Sequence, residues 1–337
     1  MRRAAEGVLQ LRRAGHAPWR GRVPAVRRQP FSDFSPRGID TSGRGPLRLD
    51  FAASCLPHPE KAQRGGEDGY YACPDSRSFG VADGVGGYAD EGVDPGLFAR
   101  RLLQLALAAV RSGPLSEAAD LPGALAAAAT GLVEEQVQGG STALLGQLNG
   151  SSLAILNLGD SGVMLLRPAL RTNPGSDQPF LFPRVLFRSS DQTHYFNCPY
   201  QLGSSQLPAE KPDLVHVRVR AGDILVAATD GIFDNLFDHQ VQAIVARQIG
   251  GAWRSGAPVS PQLQGLASSI TQQAQSIGEQ QDNKDVLTPF ALSALSEGLQ
   301  FRGGKLDDST VVVGLVCGPE NNQAEHKPKL LHNFTAT

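Results

Sequence analysis

Two apolar runs in this chain stop at the same dipeptide. Phe79-Gly80-Val81-Ala82 ends in Asp83-Gly84, and Ile224 to Ala228 ends in Thr229-Asp230-Gly231. Runs of this length fit buried strands, and Asp-Gly closes a strand in a turn, so two carboxylates can sit at one end of a sheet. Further acids stand at strand entrances or ends: Glu67-Asp68, Asp160 and Asp307-Asp308. They are scattered from Glu67 to Asp308, so only a fold can gather them. Gathered carboxylates repel one another and take up protons unless a positive charge meets them. No Lys or Arg adjoins Asp83 or Asp230 in the sequence, which makes divalent cations the simplest counter-charge. Carboxylate and carbonyl oxygens suit Mg²⁺ or Mn²⁺ and not Zn²⁺. Two such ions roughly 3.5–4 Å apart ionise a water and hold the oxygens of an in-line displacement, as hydrolysis of a phosphate ester requires. Glycine after each Asp permits close backbone approach or an unusual dihedral, and its carbonyl can reach a cation.

The elements that must position these acids are legible in outline. Alternating Leu47, Leu49, Phe51 and Ala53 predict a first half-buried strand, with Tyr70–Cys73 and Phe79–Ala82 as the next two. A hairpin between those two would bring Glu67-Asp68 level with Asp83. Pro95 opens a helix to about Ser112, and Asp120 with Pro122 starts an Ala-rich one to about Gln138. Asn149-Gly150 marks a hairpin whose return strand runs from Ser152 to Leu158. Residues 168–180 read as a loop, Phe180–Phe187 and Leu214–Val219 as strands, and Ser189–Leu207 as irregular. Helices follow over about Asp238–Ile249, Pro261–Gln281 and Thr288–Gly298, with Gly250–Pro258 a Gly/Pro break. Val311–Val316 is a final strand. Strand runs joined by hairpins and separated by helix pairs predict an α+β layered domain with mainly antiparallel sheets, not a doubly wound parallel one.

Composition sets bounds. With 337 residues, 41% hydrophobic and 19% charged, the chain reads as globular, and a formal charge of −2 gives no pull toward nucleic acid. No apolar run approaches the roughly 20 residues of a bilayer span. Four isolated cysteines without Cys-x-x-Cys spacing predict reduced, mostly buried thiols. Residues 1–45 are rich in Arg and poor in acids, the composition of an organelle transit peptide or a disordered leader. The domain is expected over 46–318, with a polar tail over 319–337. Gly159-Asp160-Ser161-Gly162 looks like a serine-protease nucleophile motif, but no matching His context accompanies it.

The ordered set Glu67-Asp68, Ala82-Asp83-Gly84-Val85-Gly86-Gly87, Gly140-Ser141-Thr142-Ala143, Asn157-Leu158-Gly159-Asp160-Ser161, Thr229-Asp230-Gly231-Ile232-Phe233-Asp234 and Asp307-Asp308-Ser309-Thr310 resembles the metal-dependent type 2C Ser/Thr protein phosphatases. The resemblance implies a four-layer αββα sandwich of two antiparallel sheets flanked by helices, with a metal site at one end. It implies phosphoserine and phosphothreonine hydrolysis by metal-activated water, with two Mn²⁺ or Mg²⁺ per subunit and a weaker third. By the same resemblance Asp83 bridges the metals and Gly84 adds its carbonyl. Glu67 serves one ion, Asp230 and Asp307 the other, and Asp160 joins Asp230 at the third. Asp68 orients the attacking water, and Asp308 stands beside the ligand Asp307. Arg64, with Lys61 second, is the candidate phosphate binder. Many members carry a His at the position of Val85, which cannot donate a proton, so His194 or a metal-bound water is the alternative acid.

Pro57-His58-Pro59, His194-Tyr195-Phe196-Asn197-Cys198-Pro199-Tyr200 and Gly303-Gly304-Lys305-Leu306-Asp307-Asp308 look closest to the branch of PTC7-like phosphatases and the plant photosystem II core phosphatase. That branch implies phosphoprotein substrates, thylakoid proteins among them, a monomer without a transmembrane segment, and the chloroplast stroma, with the mitochondrial matrix as alternative. An alternative of another class is an inactive member of the fold that binds phosphoproteins.

Overall fold

The computed structural model describes residues 32–33, 46–113, 119–172, 179–203, 211–319 and 329–334. The Arg-rich leader lies almost wholly outside them. Its residues Ser32–Asp33 pair antiparallel with Leu170 and Ala169.

Two antiparallel sheets face each other. The strands are β1 (Arg48–Leu56), β2 (Asp68–Cys73), β3 (Ser78–Asp83), β4 (Ala143–Asn149), β5 (Ser152–Leu158), β6 (Gly162–Arg167), β7 (Arg184–Arg188), β8 (Asp213–Arg218), β9 (Ile224–Ala228), β10 (Ser309–Cys317) and β11 (Leu331–His332). One sheet has the order β7-β6-β9-β10-β1, the other β8-β5-β4-β3-β2-β11. The helices are α1 (Pro95–Ser112), α2 (Leu121–Glu134), α3 (Asp238–Ser255), α4 (Leu263–Gly278) and α5 (Pro289–Ser296).

The layering follows from strand periodicity. Successive side chains point to opposite faces, and here both faces are apolar. In β10, Val312 and Val316 enter the layer between the sheets with Phe79, Val81, Leu144, Ile155, Leu165 and Leu225. Val311, Val313 and Leu315 face α3 and α4, where they meet Val241, Val245, Trp253, Leu266 and Ile270. On the far side Ala82, Leu145 and Leu156 pack under α1 and α2 against Phe98, Leu102, Leu125 and Leu132. Strands buried on both faces read as continuous apolar runs, which is why β9 and β10 lack alternation.

Local signals act as expected. The Asp94 side chain accepts from Gly96 N–H at the start of α1, and Asp120 caps α2 through Gly123 N–H, both at 3.0 Å. Asn149 pairs with Ser152, so Asn149-Gly150 stands at a tight β4–β5 hairpin. Three expectations need correction. Residues 168–180, read as a loop, contain the strand Ala169–Thr172, which pairs antiparallel with Pro179–Leu181. The helix read as ending near Ile249 continues through Gly250-Gly251 to Ser255. A glycine costs about 1 kcal/mol in a helix, and here Ala252 and fully buried Trp253 anchor the extra turn in the core. Within the stretch read as a polar tail, Leu331–His332 pair with Ala72 and Tyr71 and cover the edge of β2.

Phe79 is fully buried between the sheets, its ring 6.2 Å from that of Phe51. Phe79→Ala is expected to destabilise the domain by about 3–5 kcal/mol, read as a fall in the urea midpoint. An unchanged midpoint would contradict this account of the central layer.

Candidate metal centre and its cleft

The acids meet because strand register and two turns put them at one end of the sandwich. Asp68 and Asp83 are direct partners in the β2–β3 hairpin. The turn after Asp83 is pinned from two sides. Gly84 N–H donates to the Glu67 carbonyl at 3.1 Å, and Val85 N–H to that of Gly140 at 2.9 Å. Thr142 and Asp83 exchange two hydrogen bonds at 2.9 Å, one from Asp83 N–H to Thr142 Oγ1 and one from Thr142 N–H to the Asp83 carbonyl. From the facing sheet, β9 delivers Asp230 on the helical turn Asp230–Phe233, and Asp234 follows one turn later. Asp307 precedes β10, and Asp160 lies between β5 and β6.

Neither Gly84 nor Gly231 has positive φ. Both are needed for close approach. A Cβ on Gly84 would come within 2.5 Å of the Pro95 carbonyl oxygen, and one on Gly231 within 2.0 Å of that of Asp308.

A cleft of about 290 Å³ opens over this end, lined by Glu67, Asp83, Gly84, Thr142, Asp160, Asp230 and Asp307, with Lys61, Lys305, Val85, Asn197 and Pro199 completing the wall. Asp68 is fully buried beneath it. Its Oδ2 accepts from Thr229 Oγ1 at 2.8 Å, while its Oδ1 has no partner. One carboxylate oxygen each of Asp160 and Asp230 is likewise buried without a partner. Buried acceptors left open next to a cluster of like charge fit hard cations.

Among the described residues, however, no three acids or histidines already converge as a finished cage. Two ammonium groups stand among them. Lys61 Nζ lies 2.6 Å from Glu67 Oε2 and 3.3 Å from Asp307 Oδ1. Lys305 Nζ lies 2.5 Å from Asp230 Oδ2 and 2.7 Å from Asp234 Oδ2. No basic residue adjoins Asp230 in the sequence, but Lys305, remote in sequence, is adjacent in space and supplies part of the counter-charge that the sequence left to divalent cations alone.

Arg64 does not line the cleft. Its side chain is 47% exposed and reaches Glu67 Oε1 only at 3.6 Å, so of these two residues Lys61 is the one that faces the acids. His194 packs against Tyr200 in a tilted ring contact, centroids 4.6 Å apart, and is not among the cleft-lining residues. Val85 does line it.

Burial and mutual repulsion set the electrostatics. Burial, then the charges of Asp230 and Asp68, hold the Asp83 carboxyl well above its usual range. Burial and Asp308 do the same to Asp68. Asp160 is pushed up to about 8 by burial and by Asp230 and Asp234, and Asp234 to about 7 by burial and Asp230 despite Lys305. Asp230 alone falls: burial opposes its charge, but the Lys305 ammonium and Gly231 N–H more than offset that.

Supporting contacts come from Asp308, named in the sequence only as the neighbour of Asp307, and from Arg100 and Asn333, which the sequence reading missed. Asp308, 2% exposed, accepts from Glu67 N–H at 2.7 Å and His58 N–H at 2.6 Å, tying the Glu67 loop to β10. Buried Arg100 of α1 donates to the Gly66 carbonyl at 3.0 Å. Asn333 brackets β2, donating to the Asp68 carbonyl at 3.0 Å and accepting from Tyr70 N–H at 2.9 Å. For Asp234 a signal existed, since it follows Asp230 by four residues on a helical turn. For Arg100 and Asn333 there was none.

Comparison with known proteins gives the family. The chain is 37% identical over 277 residues to probable protein phosphatase 2C 55 of Arabidopsis thaliana, covering 81% of this chain and 52% of that protein. It is 32% identical over 289 residues to probable protein phosphatase 2C 26 of the same plant, covering 81% of this chain and 85% of that protein. The chain belongs to the protein phosphatase 2C family. It spans about half the length of the first of these two relatives. The X-ray structure of the photosystem II phosphatase PBCP superposes with a TM-score of 0.60 at 25% identity, over 80% of this chain and 98% of that one. The four-layer sandwich implied by the resemblance is thus the protein phosphatase 2C fold. No family profile matches the chain.

The raised carboxyls have a consequence for the metal-free protein. The native state keeps protons on Asp160 and Asp234 up to about 8 and 7, while the unfolded chain releases them near its ordinary value of about 3.9. Between those limits the native state binds more protons, so stability falls as pH rises. In chelator, Tm from scanning calorimetry is expected to drop from about pH 5 to about pH 8. Asp160→Asn should shrink the drop, and an identical slope in the variant would refute the assignment.

Proposed function

We propose that this chain is a Mn²⁺- or Mg²⁺-dependent protein serine/threonine phosphatase. The observation that carries this reading is the set of unpartnered, buried carboxylate oxygens at one end of a family-typical sandwich, with Asp68 directly opposite Asp83. Glu67, Asp83 and the Gly84 carbonyl would hold one ion, and Asp83, Asp230 and Asp307 the other. Bound there, the ions supply the charge that activates a water and neutralises phosphate oxygens. Asp68, held by Thr229 and open on Oδ1, would orient that water. Lys61, at the cleft wall, is placed to meet the phosphate, a role the sequence had offered first to Arg64. Val85 contributes only apolar wall, and Asn197 and Pro199 border the substrate side.

A second reading, a non-catalytic phosphoprotein binder, draws on one observation: ammonium groups already stand among the acids. Phosphate release from a phosphopeptide decides between them. It is expected to require Mn²⁺ or Mg²⁺, to vanish with chelator and to fall to background in Asp83→Asn. Lys61→Met should raise KM, and Arg64→Met should leave it near wild type. Phosphopeptide binding without Mn²⁺ binding or turnover would favour the binder.

The likeness to PBCP and the Arg-rich first 45 residues support substrates on the thylakoid membrane, photosystem II core phosphoproteins among them, and residence in the chloroplast stroma. In plastids lacking this protein those phosphoproteins are expected to stay phosphorylated after a shift to darkness. Normal dephosphorylation there, with altered mitochondrial phosphoproteins instead, would move the assignment to the matrix.

A further inference from the structure

Lys305 is not a solvated surface lysine. Its backbone is clamped by buried Asn235, which accepts from Lys305 N–H at 3.0 Å and donates to the Lys305 carbonyl at 2.8 Å. Its side chain is 16% exposed, and Nζ lies 5.1 Å from the centroid of the Phe290 ring. The ammonium contacts Asp230 and Asp234 as given above, and Asp307 Oδ2 at 3.4 Å. An ammonium is a compact charge with three donors, and here three carboxylates receive it. Asp230 is divided by this contact. Its Oδ2 is taken by Lys305, while its Oδ1 stays buried without a partner.

We propose that Lys305 is a built-in cation of the centre: its ammonium, seated between Asp230 and Asp234, occupies the place of a further divalent ion on the Asp160 side and limits the centre to two ions. This rests on the metal-dependent reading of the same site. A divalent ion shared by Asp230 and Asp234 needs oxygens at about 2.0–2.6 Å, the region that Nζ fills. Two cations cannot share it, and the ammonium is covalently tethered there. Lys61 differs, because it reaches Glu67 and Asp307 from the loop ahead of β2 and its side chain is 26% exposed.

The test is the number of Mn²⁺ ions bound by the purified protein, from calorimetric titration and from the EPR signal of free Mn²⁺. Wild type is expected to bind two. Lys305→Met, which keeps the reach over Phe290 without the charge, is expected to bind three, and Lys305→Arg two. Adding Asp160→Asn to Lys305→Met should return the count to two. A count of two in Lys305→Met overturns the inference and leaves the phosphatase reading intact. If Lys305→Met does not fold, wild type and Asp160→Asn decide. Two ions in both support the tethered cation, whereas three falling to two overturns it. No Mn²⁺ binding by wild type removes the metal-dependent reading, and this inference with it.

Discussion

Repulsion among carboxylates is the constraint on which this structure turns. Asp68, Asp83, Asp160, Asp230 and Asp234 crowd one end of the sandwich, and burial denies them the water that would screen them. Left alone, such a cluster protonates or drives its strands apart. The structure meets the charge in three ways. Thr229 and the backbone amides supply hydrogen bonds, Lys61 and Lys305 supply positive charge, and several oxygens stay open for ions. A cluster that is costly without cations binds cations readily when they arrive, because the repulsion has already been imposed by folding.

The fold imposes it through packing. Two sheets buried on both faces leave few ways for β3, β9 and β10 to shift, since a slip of one residue would turn every core side chain to the wrong layer. Asp83, Asp230 and Asp307 inherit their places from that register. Rigid connections from outside the sheets then fix the remaining acids. Asp308 holds the Glu67 loop, Arg100 holds the backbone ahead of Asp68, and Asn333 brackets β2 from the other end of the chain. These groups touch no reacting atom in the proposed chemistry. They hold the acids against forces that would separate them.

Much of this was legible in the sequence. The strands around Phe79, Ile224 and Val311 announce themselves as apolar runs ended by Asp-Gly or preceded by acids, and α1 and α2 by Pro in the first turn after an Asp. The acid set could be named because each member sits at a strand end. Other features were hidden. The extra turn of α3 runs through two glycines that local propensity reads as a break, and only Trp253 in the core explains it. The edge strand at Leu331 is two residues long, too short for any periodicity to register. Arg64 lies closer in sequence to Glu67 than Lys61 does, yet the 3₁₀ turn at Ala62–Arg64 leaves Arg64 outward and Lys61 over the acids.

The sequence by itself determined the layered antiparallel class, the donor chemistry and the identity of the acids, because these follow from residue type, period and turn residues, which are local properties. Tertiary structure alone decided which charges meet. Asp230 and Lys305 stand 75 residues apart, and Lys61 and Asp307 246. Counter-charge is a matter of distances of a few ångströms, and no spacing along the chain encodes it. The same acids that read as a bare cation site in sequence thus prove, once folded, to be a site already shared with two lysines.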